Sequence, residues 1–200
     1  MSASEEIICP ICYHVFMVER GPRTEPLRNS ETILTEDFVK QILHDARMHL
    51  GEFGGLPTTL FVLLDNNDHV LIPLAIPDNH EEKYAYFGLL GFSIQDSDRQ
   101  VQEAILVAES WYVGKPEIDM HLDVAPSQHP DRKEAITLVG RDYTGSKSAY
   151  AIQPFSRDAK NKLVFEPLEI DQFDGSPPTE HYSTGLLDYL FFPAGSGKLH

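Results

Sequence analysis

An α+β fold is predicted for this chain by where its two hydrophobic periodicities fall. Apolar residues recur at helical spacing between Thr35 and Leu50, whereas the chain beyond Glu103 reads as β-rich segments joined by short turns. Helices clustered early and strands clustered late point to helices packed on an antiparallel sheet, not to the alternating βα units of a doubly wound sheet. The expected architecture is a hairpin plus a C-terminal meander, packed with two main helices and preceded by a short appendage carrying both cysteines.

The elements follow in order. Residues 1–20 form the cysteine-bearing segment, and Gly21 to Ser30, polar with two prolines, reads as a linker. A single domain is expected over 31–193, with a loose tail over 194–200. The first helix spans Thr35 to Leu50. Thr35 can cap it, Glu36 and Asp37 complement its dipole, and Phe38, Val39, Ile42, Leu43, Ala46 and Leu50 form one apolar stripe. Gly51, with Gly54 and Gly55 behind it, is expected to end it.

A hairpin comes next. Thr58–Leu64 and His69–Ile76 flank the turn residues Asp65-Asn66-Asn67-Asp68, and Pro73 marks the second arm as an edge strand because proline cannot donate to a ladder. Pro77-Asp78-Asn79 opens a second helix carrying Tyr84, Phe87 and Leu90 inward and stopping near Gly91. Four strands follow: Ala104–Val113, Glu134–Asp142, Ser148–Phe155 and Leu163–Ile170. The last three are joined by turns at Tyr143–Ser146 and Arg157–Asn161, hence an antiparallel meander. Thr184–Phe192 adds a short amphipathic closing helix.

Composition bounds the function. At 200 residues, 42% hydrophobic and 24% charged, the chain can bury a core and is not a disordered or collagen-like sequence. Its 31 acidic against 16 basic residues leave a net charge of −15, which repels a phosphate backbone and argues against nucleic acid as a partner. No apolar run reaches membrane-span length, and MSASEEIICPIC lacks a basic start or a long apolar stretch. A soluble, cytoplasmic protein that does not engage membranes is therefore expected.

Cys9-Pro10-Ile11-Cys12 is the sharpest local motif. Two thiolates at that spacing can grip one zinc ion, which normally takes four ligands in a structural site. With only two cysteines present, histidines, carboxylates or a second subunit would complete the set. His14 lies near but only two residues on. His44 and His49 would give a C-x2-C…H-x4-H pattern, with His49 on the apolar stripe and His44 pointing away. Five residues on a helix set two rings about 140° apart, against about 40° for four. The plain alternative is a reduced, inert cysteine pair near a chain terminus.

The same tetrad resembles the C-P-x-C redox motif of glutaredoxin- and thioredoxin-like proteins. Gly55-Leu56-Pro57-Thr58-Thr59-Leu60-Phe61 resembles that fold's cis-proline segment entering a hairpin strand. The resemblance covers these two patches and implies a dithiol oxidoreductase. Cys9 would be its nucleophile, activated at a helix N-terminus. Tyr13 to Val18, directly after the motif, is β-rich where that family has its helix.

About 20 residues separate Val113 from Glu134, and connections that long are often functional. This one holds two H-x-D pairs, His121 with Asp123 and His129 with Asp131. Imidazole plus carboxylate suits zinc, iron or manganese and also general acid/base work; the bland reading is a solvated, proline-braced loop. In the preceding strand, alternation puts Ile105, Val107, Glu109 and Trp111 on one face. Glu109 among apolar neighbours must then be paired, with Arg141 as the expected partner, or serve as an acid/base near the loop histidines. Trp111, the only tryptophan, is expected in the core.

Several signatures are absent. Gly195-Ser196-Gly197-Lys198 lacks the spacing of a phosphate loop, the Asp65–Asp68 turn lacks the rest of an EF-hand, and no G-x-S-x-G, H-E-x-x-H or G-x-G-x-x-G occurs. Three functional readings remain. The favoured one is a non-catalytic interaction or regulatory protein that binds a protein partner or pairs as a homodimer, its Cys9–Cys12 pair being a candidate zinc site beside the favoured reading of a reduced, inert pair. The second is a metal-dependent hydrolase using His121, Asp123, His129 and Asp131 with Glu109 as acid/base. The third is the dithiol oxidoreductase.

Overall fold

The computed structural model describes residues 4–8, 15–19, 32–77, 79–113, 128–174 and 184–192. Contacts divide the chain into two units, Met1–Thr32 and Ile33–His200. In the first, β1 (Ser4–Ile8) and β2 (Val15–Glu19) pair antiparallel, Ile8 opposite Val15.

The second unit is an α+β structure, with three helices and an open antiparallel sheet of seven strands among the described residues. Helix α1 spans Glu36–Phe53. The Thr35 hydroxyl accepts from the Phe38 N–H at 3.2 Å, and Gly54, left-handed at φ 77°, closes the helix by donating to the Leu50 carbonyl. Gly51 lies inside this helix rather than ending it; nothing approaches the position its Cβ would take. Strands β3 (Thr59–Leu64) and β4 (His69–Pro73) form the expected hairpin. Helix α2 spans His80–Asp96, its Asn79 side chain accepting from the Glu81 N–H at 2.9 Å.

Strands β5 (Val101–Tyr112), β6 (Lys133–Asp142) and β7 (Lys147–Arg157) make the centre. The last predicted strand divides into β8 (Leu163–Phe165) and β9 (Glu169–Asp174), both paired with β7. The break falls at Glu166-Pro167-Leu168. Pro167 has no N–H to contribute, and the Glu166 carbonyl turns to accept from the Gln153 amide while its N–H reaches the Pro154 carbonyl at 2.9 Å. Helix α3 spans Thr184–Phe191.

Spatial order runs β4-β3-β5-β6-β7, with β8 and β9 end to end along the outer edge of β7, β8 on Phe155–Arg157 and β9 on Lys147–Ile152. Helix α1 covers one face through Val39, Ile42, Leu43, Ala46 and Leu50, packed on Ile105, Val107, Ile136, Leu138 and Ala151. Helices α2 and α3 cover the other through Phe87, Leu187, Leu190 and Phe191, packed on Leu60, Val62, Ala104, Leu106 and Val139. Covering both faces explains why Ala104 to Val107 reads as a continuous apolar run instead of alternating.

Three hairpin turns share one construction. Asn67, Gly145 and Asn161 donate back to Leu64, Asp142 and Asp158 respectively, and all three adopt positive φ, a conformation that asparagine and glycine tolerate. In the β6–β7 turn the Asp142 carboxylate accepts from the Ser146 hydroxyl at 2.6 Å, the Thr144 hydroxyl at 2.8 Å and the Lys147 N–H at 3.1 Å. Burial pushes this carboxyl up, but those hydrogen bonds outweigh it and hold it below the usual carboxylate range. A depressed folded-state value contributes stability above the unfolded value of about 4 and loses it as pH falls through the folded one. Asp142→Asn should therefore be less stable than the parent at neutral pH, the gap closing below about pH 4; urea midpoints across that range measure it.

Candidate functional site

The long connection from β5 to β6 leaves the sheet at the end marked by Glu109, Trp111 and Lys133. Trp111 stands on the α1 side of β5, opposite Glu134 of β6, and is 44% exposed instead of lying in the core. The Arg132 guanidinium lies 4.6 Å above its ring, a cation–π contact. Beside them, Arg157 of β7 approaches Glu134 at 3.9 Å, and Lys133 pairs with Glu166 at 3.1 Å. Strand twist and short turns gather these charges at one end of the sheet; none of them is close to its partner in sequence.

Glu109 is half-buried on the α1 side, as alternation requires, but it does not meet Arg141. Its carboxylate accepts from the Leu56 N–H at 3.3 Å, tying β5 to the segment that follows α1. Arg141 points to the opposite face, where it pairs with Asp188 of α3. The two residues alternate onto different faces, so no pairing between them is geometrically available.

His129 and Asp131 are in contact at 3.9 Å, and the Asp131 N–H donates to His129 Nδ1 at 3.2 Å. With Nδ1 accepting, the neutral ring carries its proton on Nε2, so neither nitrogen offers a free lone pair in this arrangement. His121 and Asp123 lie outside the described residues, as do Cys9, Cys12 and His14 in the six residues between β1 and β2. On α1, His49 is half-buried with its ring 4.6 Å from that of Phe53, while His44 is exposed. Among the described residues no three His, Cys, Asp or Glu side chains converge on a point that could hold a metal. The Leu56–Pro57 bond is trans, so the likeness of Gly55–Phe61 to a thioredoxin-type segment extends to its entry into β3 and not to the peptide isomer.

Two buried polar groups went unseen in the sequence. Glu103, 7% exposed, accepts from the Ile33 and Leu34 N–H groups at 2.5 and 3.2 Å. Gln153 is fully buried between the Arg47 guanidinium and the Glu166 carbonyl. Glu103 shares the parity of Ile105 and Glu109 and would have been found had β5 been extended to Val101.

The other notable surface is the outer side of β4. The Leu74 N–H donates to the Thr58 carbonyl, so in the β3–β4 register the bonded pairs are Thr58 with Leu74, Leu60 with Ile72 and Val62 with Val70. His69, Leu71 and Pro73 therefore turn their backbone groups away from β3. No described strand pairs with that side. Pro73 occupies an outward position, where its missing N–H costs the hairpin nothing. Leu71 is 50% exposed beside Phe61, its neighbour across the pair.

No helix among the described residues is long and apolar enough to cross a membrane. Compared with protein families, with curated proteins and with solved structures, the chain shows no match.

Proposed function

We propose that this protein is a cytoplasmic, non-catalytic interaction or regulatory domain that binds a protein partner as an added strand on β4. The observation that carries this reading is the outer side of β4. It presents the N–H and C=O of His69 and Leu71 and the C=O of Pro73, with an exposed leucine between two small or planar neighbours. Strand addition of this kind draws affinity from main-chain hydrogen bonds and selectivity from alternate side chains. Natural sheets blunt an edge with charged side chains, proline, a bulge or a cover; β4 carries Pro73 at its end but no lysine, which leaves the backbone groups of His69 and Leu71 on the outer side. The exposed Trp111 with Arg132 above it adds the residue types that dominate protein interfaces. The net charge of −15 sets nucleic acid aside.

Selection of displayed ten-residue peptides on the parent protein, with Leu71→Pro as the counter-target, tests the reading. The Leu71 N–H faces outward, so proline leaves the β3–β4 ladder intact and removes the central donor. Enrichment of extended sequences that lose binding to the variant is expected. Peptides that bind both proteins equally, or no enrichment at all, would sink it.

The Cys9–Cys12 pair belongs to the same proposal as a zinc-holding knuckle. His14 or a second subunit would supply the remaining ligands. Protein purified without chelator should carry zinc, and a Cys9→Ser/Cys12→Ser variant should lose it. Zinc absent from the parent, or retained by the variant, refutes the assignment.

A further inference from the structure

The charge around β4 narrows the class of partner. From Met48 to Glu82 the sequence contains no lysine or arginine in 35 residues, although the whole chain holds 16. The same stretch carries six carboxylates: Glu52, Asp65, Asp68, Asp78, Glu81 and Glu82. It contains all of β3 and β4. Asp65 and Asp68 are exposed in the turn that leads into β4, and Glu81 and Glu82 are exposed in the first turn of α2, which follows it. Both approaches to the edge that no described strand covers thus carry a pair of exposed carboxylates, Lys83 following directly after Glu82, within a chain that is itself strongly anionic.

We infer that the strand added to β4 comes from a basic, extended segment of a partner protein. The inference rests on the edge reading above and deepens it. Backbone groups of His69, Leu71 and Pro73 supply the ladder; apolar residues at every second position of the ligand cover Leu71 and Phe61; lysine or arginine flanking them meet the carboxylates before and after β4. A second copy of this chain fits less well. Pairing β4 with itself brings two such cation-free segments together, and like charges across an interface are costly. An acidic segment meets the same repulsion.

The probes are two capped ten-residue peptides, one alternating lysine with valine and the other glutamate with valine. Binding is followed by fluorescence anisotropy, and its location by amide chemical shifts of His69 and Leu71. The lysine peptide should bind, move those two amides and weaken as salt rises from about 20 to about 300 mM, where screening shortens to a few ångströms. The glutamate peptide should bind at least about tenfold more weakly. Leu71→Pro and Leu71→Lys should each abolish binding of the lysine peptide. Lysine replaces a half-exposed side chain on the edge and keeps the strand foldable if proline does not.

Equal or tighter binding of the glutamate peptide overturns the basic partner and leaves the edge reading standing. Lysine-peptide binding that spares His69 and Leu71 and survives both variants shows diffuse attraction to an acidic surface and overturns both. Binding of neither peptide also overturns this inference, while the displayed-peptide selection decides the edge reading separately.

Discussion

Replacing Gly91 with alanine should destabilise the protein by about 1–3 kcal/mol, although the same change usually stabilises a helix. Gly91 lies inside α2. A Cβ there would collide with the backbone carbonyl of Leu190, where α3 crosses. A backbone atom cannot rotate aside as a side chain can, so relief requires α3 to shift and draw its own Leu187, Leu190 and Phe191 partly out of the core. The helix-propensity gain, about 1 kcal/mol, is smaller than that displacement. Gly88, one turn earlier in the same helix, has nothing near the position of its Cβ. Gly88→Ala should therefore raise stability by up to about 1 kcal/mol. Urea denaturation of the pair isolates the close approach, because propensity is common to both. Equal shifts of the same sign would show that α3 does not rest on Gly91.

Glu103→Ala should cost about 2–4 kcal/mol, the larger loss of the two. The carboxylate satisfies the N–H groups of Ile33 and Leu34 just before α1 begins, and both of those side chains belong to the core under that helix. Removing it leaves buried donors unpaired, each costing about 1–3 kcal/mol, and opens a cavity as well. Glu103→Gln keeps one acceptor oxygen in place and should recover more than half of the loss. The readout beyond stability is amide exchange. The Ile33 and Leu34 amides should exchange faster in the alanine variant, while β6 and β7 amides keep their protection. Unchanged exchange at those two positions would contradict the anchoring role.

Much of the fold was readable because it rests on local chemistry. The Thr35 and Asn79 caps, the apolar stripe of α1, the three turns with asparagine or glycine at positive φ, and the edge position of β4 announced by Pro73 all depend on residues close in sequence. The errors have a shared origin too. Gly51 and Gly91 look like helix stops in the sequence, yet one is simply tolerated inside α1 and the other makes room for α3, a partner about a hundred residues away. Pro167 broke the last strand in two only because β7 is long enough to pair with both halves. Trp111 is expected in the core as the only tryptophan, but it is 44% exposed with the Arg132 guanidinium over its ring.

The candidate site divides along the same line. Parity alone placed Glu109 on the α1 face, but its partner, the Leu56 N–H, depended on how the segment after α1 returns to the sheet. The proximity of His129 to Asp131 is local and was visible as an H-x-D pair; that the Asp131 N–H takes up the Nδ1 lone pair was not. By itself the sequence determined the α+β class, the helix starts, the hairpins and the cation-free stretch around β4, because composition and short-range hydrogen bonding are written in neighbouring residues. Only the tertiary structure decided which face each helix covers, that Arg141 meets Asp188, that Glu103 is an anchor, and that no described strand pairs with the outer backbone of His69, Leu71 and Pro73. Those outcomes hang on contacts between distant segments, and such contacts form only when the chain closes on itself and buries its apolar faces.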